Sequence, residues 1–488
     1  MRGKLVFLVI LAMLVGLVYL IGTRARDPHV MPPARPEAVV DAASPDAPAA
    51  SASASESAVE SPPPLASAVP AALIDARAPL LDRPLRLVAA SWEQAAAALV
   101  ANGGASTVDG SAVHAADLDL KVDVATGGSD IENRLARGGG DAEGADLAVL
   151  ALPSFVAAYE RLRALDPQIA HVVGWSRGRE VLLGAKAGML ARPGAFSGEV
   201  VVASDDPSAS VLALFALDEA GTPAARLRIA PDPKDPALAA LVRPLPANRP
   251  ASAPNQVELT TADASRLVPF VVVAARGFLD AHAETMTALL KAWAEGAAAL
   301  RKDVPGAARR IASQPGAPEP AAFLERLGWI GDPGPADEAL AMGVRGRELV
   351  TVDWLFARDW RLLRDTGAIT SPAPSGSLVA SGPFVHAFPV PAARATEPAF
   401  AAPDPAATPL LAHRVARGDA AAIALEATAL ASIFERSVIR VSARPASLAK
   451  DAVDVAYEGH DFASGRIVPA ATVLVDTGVA RIEVLPAP

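Results

Sequence analysis

The chain has 488 residues, 51% of them apolar, which is long enough for two or three domains with a sizeable core. Its 44 basic and 54 acidic residues leave a formal charge of -10 and form no basic stripe, which argues against nucleic acid as the main partner. It holds no cysteine, which excludes disulfides, cysteine-ligated zinc and thiol catalysis.

Leu5 to Gly22 is uncharged and almost wholly apolar. As a helix it spans about 27 Å at ~1.5 Å per residue, close to a hydrocarbon core of ~30 Å. It is longer than the apolar region of a cleaved signal, and Thr23-Arg24-Ala25-Arg26 follows it with no small-x-small site. We therefore expect an uncleaved anchor in the cytoplasmic membrane, with the acid-rich remainder exported to the periplasm. Asp27 to Arg83 is rich in Ala, Pro and Ser and lacks periodic apolar spacing, so it is expected to be a disordered linker.

From Pro84 the texture changes. Leu85–Ala90 reads as a strand and Trp92–Ala101 as a helix. Leu118–Ala125 alternates like a strand, and Asp130–Arg137 follows as a helix. Leu147–Leu152 is a short apolar strand, and Ser154–Leu165 a helix with Phe155, Tyr159 and Leu162 on one face. Two apolar runs flank Gly174-Trp175-Ser176-Arg177-Gly178. Glu199–Ala203 is then a strand and Ser208–Leu217 a helix. Strands alternating with helices of this length imply a parallel sheet covered on both faces, with ligands bound at the carboxyl ends of strands. Pro231–Pro254 is rich in proline and is assigned no element. Val257–Leu259 and Leu267–Ala274 read as strands, and one amphipathic helix is expected from about Asp280 to Arg301. Further helices include Ala322–Leu327 and Trp354–Leu363, with Trp329, Trp354 and Trp360 as core residues. Pro372–Pro409 is loop-rich. A helix at Ala420–Phe434 and strands at Val438–Ser442, Val453–Tyr457, Thr472–Val475 and Ala480–Leu485 make a small separate α+β unit.

Gly174 to Gly178 spells G-x-S-x-G. In a serine hydrolase that motif turns a strand into a helix. Here Glu180–Lys186 is a short apolar run broken by Gly184, so the expected context is strand, loop, strand. His386, His413 and His460 lie downstream, so a hydrolase remains an alternative. The S-x-x-K at Ser447–Lys450 has no companion motifs. Gly138-Gly139-Gly140 with Gly144 lacks the dinucleotide pattern, and the seven histidines show no metal-ligand spacing. No catalytic residue, metal or cofactor is assigned.

Three blocks together resemble the periplasmic solute-binding proteins of the SsuA/THI5-like (NMT1) group, which serve ABC importers. They are Pro84–Gly104, Val172–Gly184 and Glu258–Lys302, the last with a Thr-rich turn leading through Leu267–Ala274 into Phe278-Leu279-Asp280-Ala281-His282-Ala283-Glu284. The resemblance covers about residues 83–370. It implies a type II, periplasmic-binding-protein-like α/β body of two lobes, with lobe 1 at 84–178 and 257–370 and lobe 2 at 179–256. This body lies between the anchor (1–26) and linker (27–83) on one side and a second linker (371–408) and the C-terminal unit (409–488) on the other. It further implies a small polar or anionic ligand and an ABC permease as partner. Two departures stand out: lobe 2 is short, and Pro231–Pro254 does not show the small-residue strand that closes that family's pocket. They leave open a degenerate fold serving as an envelope scaffold. The candidate ligand residues are those at strand ends and helix starts: Ser91, Trp92, Thr126, Ser129, Ser154, Ser176, Arg177, Ser208, Thr260 and Thr261. Arg177 would add a charge-assisted contact.

Overall fold

A computed structural model describes residues 81–184, 200–204, 206–230, 257–344 and 350–389, six further strands, and a few residues at 188–191, 410 and 426–434. The expected anchor, nearly all of the first linker and Ser447–Lys450 lie outside the described residues. Among the described residues no helix is long and apolar enough to cross a membrane.

In chain order, β1 (Leu85–Ala89) leads to α1 (Ala96–Asn102) and the single turn α2 (Ala112–Ala115). Next come β2 (Leu120–Val124), α3 (Gly128–Arg137), β3 (Leu147–Ala151), α4 (Leu152–Leu162) and β4 (Pro167–Ser176). After a crossover come β5 (Glu180–Gly184), β6 (Val200–Ala203), α5 (Pro207–Glu219), β7 (Leu227–Ala230), β8 (Leu238–Pro244) and β9 (Val257–Thr260). The chain then returns through β10 (Pro269–Ala275), α6 (Arg276–Ala281), α7 (Ala283–Lys302), α8 (Val304–Ala312), α9 (Pro320–Leu327), β11 (Ile330–Gly331), α10 (Pro335–Ala341), α11 (Val352–Asp365) and α12 (Gly382–Ala387). The later strands are β12 (Leu411–Arg414), β13 (Ile439–Ala443), β14 (Val453–Asp461), β15 (Arg466–Val475) and β16 (Ala480–Val484).

A six-stranded sheet has the order β11-β4-β10-β3-β1-β2, and a five-stranded sheet the order β7-β6-β8-β5-β9. In the first, β1 pairs in parallel with β2 and β3, while β10 is antiparallel to both β3 and β4. The carboxyl ends of β1, β2, β3 and β4 therefore share one edge, the edge from which Ser176 leaves. In the second, β6 is parallel to β7 and β8, and β5 is antiparallel to β8 and β9. The carboxyl ends of β6, β7, β8 and β9 thus lie where β5 begins, at Glu180. Both sheets turn the carboxyl ends of their like-directed strands toward the two crossovers, residues 177–179 and 261–268.

The sequence accounts for most of this. β3 is a continuous apolar run, and all five of its residues are buried, as a strand covered on both faces requires. α5 is apolar on every side and correspondingly buried on every side. Its Val211, Leu212 and Phe215 join α4 (Phe155), α11 (Phe356) and the C-terminal residues Leu411 and Phe434 in one hydrophobic cluster that draws on both sheets. Leu411 and Phe434 of the C-terminal segment thus pack against this core, with the Phe215 and Phe434 rings 5.9 Å apart. A second cluster fills the other face of the first sheet, under α1 and α7. There Gly296 lets the helices touch: a Cβ on it would lie 2.2 Å from the Ala97 carbonyl oxygen and 2.7 Å from the Ala101 Cβ.

Three expectations are corrected. Pro231–Pro254 does contain a strand, β8, held between β6 and β5 in the middle of the second sheet. Its prolines flank the run Leu238–Arg243 rather than interrupting it, so the ladder loses no interior donor. The helix expected from Asp280 to Arg301 is two helices meeting at His282, whose backbone (φ -128°, ψ 37°) is not helical. The helix expected from Trp92 begins at Ala96; Ser91–Ala95 is a turn closed by the Ala95 N–H to the Ser91 carbonyl at 3.3 Å. Of the three tryptophans assigned to the core, Trp360 is fully buried, while Trp329 and Trp354 are half-buried.

Candidate functional site

The Gly174–Gly178 segment folds as strand, tight turn, strand. Gly178 takes φ +93°, which favours glycine, and lets β4 turn into β5 within three residues. Ser176, Glu180 and Thr261 come together here, each fully buried. Ser176 Oγ donates to Glu180 Oε2 and lies 3.0 Å from Thr261 Oγ1. Thr261 Oγ1 accepts from the Gly178 N–H at 2.9 Å and the Glu180 N–H at 3.3 Å, and donates to Glu180 Oε2 at 3.1 Å. One hydroxyl from the returning crossover therefore pins the outgoing one. Burial raises the Glu180 carboxyl above its ordinary value; the Arg179 charge and the hydrogen bonds from Ser176 and Thr261 oppose this, and Asp206 reinforces it. Arg179 lies 3.3 Å from Glu180 Oε1 and 4.0 Å from Asp206 Oδ2, which ties the crossover to the end of β6. Ser176 thus bonds to a carboxyl and a hydroxyl rather than to an imidazole, and no helix follows it.

The other candidates are spread along the two edges. Ser91 and Trp92 are half-buried after β1, and the Trp92 ring packs against the α1–α7 core. Thr126 and Ser129 are exposed around the start of α3, where Gly127 caps the helix without a side-chain bond. Ser154 is half-buried in the first turn of α4. Arg177 is exposed; its N–H donates to the Trp329 carbonyl at 2.7 Å, and its side chain crosses Gly331, where a Cβ would fall 2.3 Å from Nε. Ser208 is buried at the start of α5. Thr260, half-buried, donates to Asp263 Oδ2 at 2.8 Å. The structure thus brings together Ser176 and Thr261, and it sets the others along the facing edges.

Sequence reading missed Glu180, Arg179 and Asp206. Asp206 caps α5, with Oδ1 accepting from the Ser208 N–H at 2.7 Å and the Ala209 N–H at 3.4 Å. A carboxylate therefore already occupies the helix terminus where an anion would otherwise sit. The Asp206-Pro207 pair before an apolar run was the available signal for that cap. Nothing local announced Glu180, since its partner Thr261 is 81 residues away. Among the described residues no group of three or more His, Asp or Glu side chains could hold a metal ion. Two cavities, of about 180 and 790 Å³, lie in the helix layer of the first sheet.

Strand order and register define an α/β protein of two mixed sheets joined by two crossovers, a two-lobed body. No protein-family model matches the sequence, and no curated protein matches it. Solved structures with a similar fold include the periplasmic nitrate-binding protein NrtA from Synechocystis (15% identity, TM-score 0.40, 61% of this chain and 92% of that one). The periplasmic aliphatic sulphonate binding protein SsuA from Escherichia coli is similar at 13% identity and TM-score 0.39, over 66% of this chain and 97% of that one. A Candida albicans gene product described as exhibiting the generic periplasmic binding protein structural fold is similar at 12% identity and TM-score 0.39, over 60% and 92%. The likeness is one of fold, and the two-lobed assignment stands on the strand order given above.

Proposed function

We propose that this chain is a membrane-tethered extracytoplasmic solute-binding protein that holds a small polar or anionic molecule between its lobes for ABC-type import. One observation carries the reading: the carboxyl ends of the like-directed strands of both sheets turn toward the same pair of crossovers. That arrangement sets loops and helix starts from two lobes opposite one another, the usual place for a ligand in open α/β sheets. In this reading Leu5–Gly22 anchors the chain in the cytoplasmic membrane and residues 27–83 tether the body in the periplasm. Residues 84–370 form the body and an ABC permease is the partner. Ser91, Thr126, Ser129, Ser154 and Thr260 face the ligand, Arg177 supplies charge, and Ser176 and Thr261 set the hinge. An anionic ligand is not held at the start of α5, because Asp206 closes it. No catalytic step is assigned. The test is a metabolite screen by thermal unfolding of the detergent-solubilised protein. At a hundredfold excess over Kd a true ligand adds about 2.7 kcal/mol of stability. A broad screen that shifts nothing counts against the proposal.

A second reading is favoured by the continuous core through α4, α5 and α11, which joins the two lobes and resists hinge motion. In that reading the fold is a scaffold for envelope proteins. Crosslinking would then capture a protein partner, and tight binding of a small molecule would remove this alternative.

A further inference from the structure

Beneath the loop that follows β1, the cavity of about 180 Å³ is walled by Ala97 of α1, Trp293 and Leu300 of α7, and Leu327 of α9. An apolar cavity of about 150 Å³ accepts benzene, so this space is large enough for an aromatic ring with a short substituent. Its polar wall is built from acceptors. Gln94 is 4% exposed, and both Gln94 Oε1 and Glu93 Oε2 are shielded from solvent and accept no hydrogen bond. A buried acceptor left without a donor is costly, and two beside one cavity point to a donor supplied from outside the chain. Charge narrows the choice. Arg301, at the same cavity, is ion-paired with Asp332, so the unbalanced charge on the wall is that of Glu93. Trp293, buried at 3% exposure and fixed edge-on against His171 with ring centres 5.3 Å apart, offers an aromatic surface to a cation or a ring.

We infer that this cavity binds a small primary amine: an ammonium group donating to Glu93 and Gln94, on an apolar body of about six to eight non-hydrogen atoms. All of the residues that line it belong to the first lobe.

Benzylamine, benzyl alcohol and benzoate are the probes, titrated against the full chain in detergent by calorimetry and ligand-observed NMR. Benzylamine is expected to bind saturably. Benzyl alcohol should bind about tenfold more weakly, because a charge-assisted bond becomes a neutral one, and benzoate should not bind. Ala97→Phe fills the space and should abolish benzylamine binding. Glu93→Gln keeps the shape and should bring benzylamine and benzyl alcohol to within about threefold of each other. Failure of benzylamine to bind at millimolar concentration would overturn the proposal. So would equal binding of benzoate, or a benzylamine preference unchanged in Glu93→Gln. The last readout holds even if Ala97→Phe does not fold.

Discussion

Replacing Thr261 with Val removes one oxygen and keeps the shape. That oxygen accepts from the Gly178 and Glu180 N–H groups and donates to the Glu180 carboxyl, in a place with no solvent access. A buried donor left unsatisfied costs about 1–3 kcal/mol. The Gly178 bond at 2.9 Å is the stronger of the two and the Glu180 bond at 3.3 Å the weaker, so the expected loss is about 3 kcal/mol. The damage is local, and amide hydrogen exchange over peptides spanning residues 174–184 reads it directly. At about 1.4 kcal/mol per tenfold, protection should fall roughly 100-fold in Thr261→Val. Thr261→Ser keeps the oxygen and loses one methyl group, about 1 kcal/mol or less than tenfold. If Thr261→Val exchanges within about threefold of the wild type, the hydroxyl is not what joins the crossovers, and the account of the hinge is wrong.

Burial raises Glu180 and Asp359 above their ordinary carboxyl values, and Asp359 well above. A raised pKa in the folded state favours the protonated form. The associated stability is therefore complete below the ordinary carboxylate range and is lost as pH rises through the folded value. Glu180→Gln and Asp359→Asn should gain on the wild type in thermal unfolding as pH rises above the ordinary carboxylate value of about 4; an unchanged gap would contradict the assignment. Gly296→Ala should lower the melting temperature sharply, since its Cβ would sit 2.2 Å from the Ala97 carbonyl oxygen. Gly277→Ala, with open space around it in α6, should be neutral or gain up to about 1 kcal/mol. Arg358 is buried between the Phe215 and Trp354 rings (4.8 and 5.1 Å) and ion-paired with the buried Glu219. Arg358→Met should cost about 3–5 kcal/mol in denaturant unfolding by stranding that carboxylate, and adding Glu219→Gln should recover part of the loss.

Most elements were legible because strand and helix patterns are local. The apolar run Leu147–Ala151 and the aromatic face of Phe155 and Tyr159 announced a strand and a helix, and both formed. β8 was hidden because prolines crowd both of its ends, and because a central strand with small residues carries no alternation. The turn at His282 was hidden because the apolar spacing on either side continues in phase.

The sequence by itself determined the alternation of strands and helices, the strand–turn–strand context of Ser176, and a set of hydroxyls at strand ends. Side-chain periodicity and turn chemistry are properties of neighbouring residues. Only the tertiary structure decided which strands share an edge, that Thr261 closes the turn at Gly178, and that Glu93 and Gln94 face a cavity walled by Trp293. Hydrogen-bond partners and cavity walls are set by packing between segments more than two hundred residues apart, and no local pattern encodes the choice.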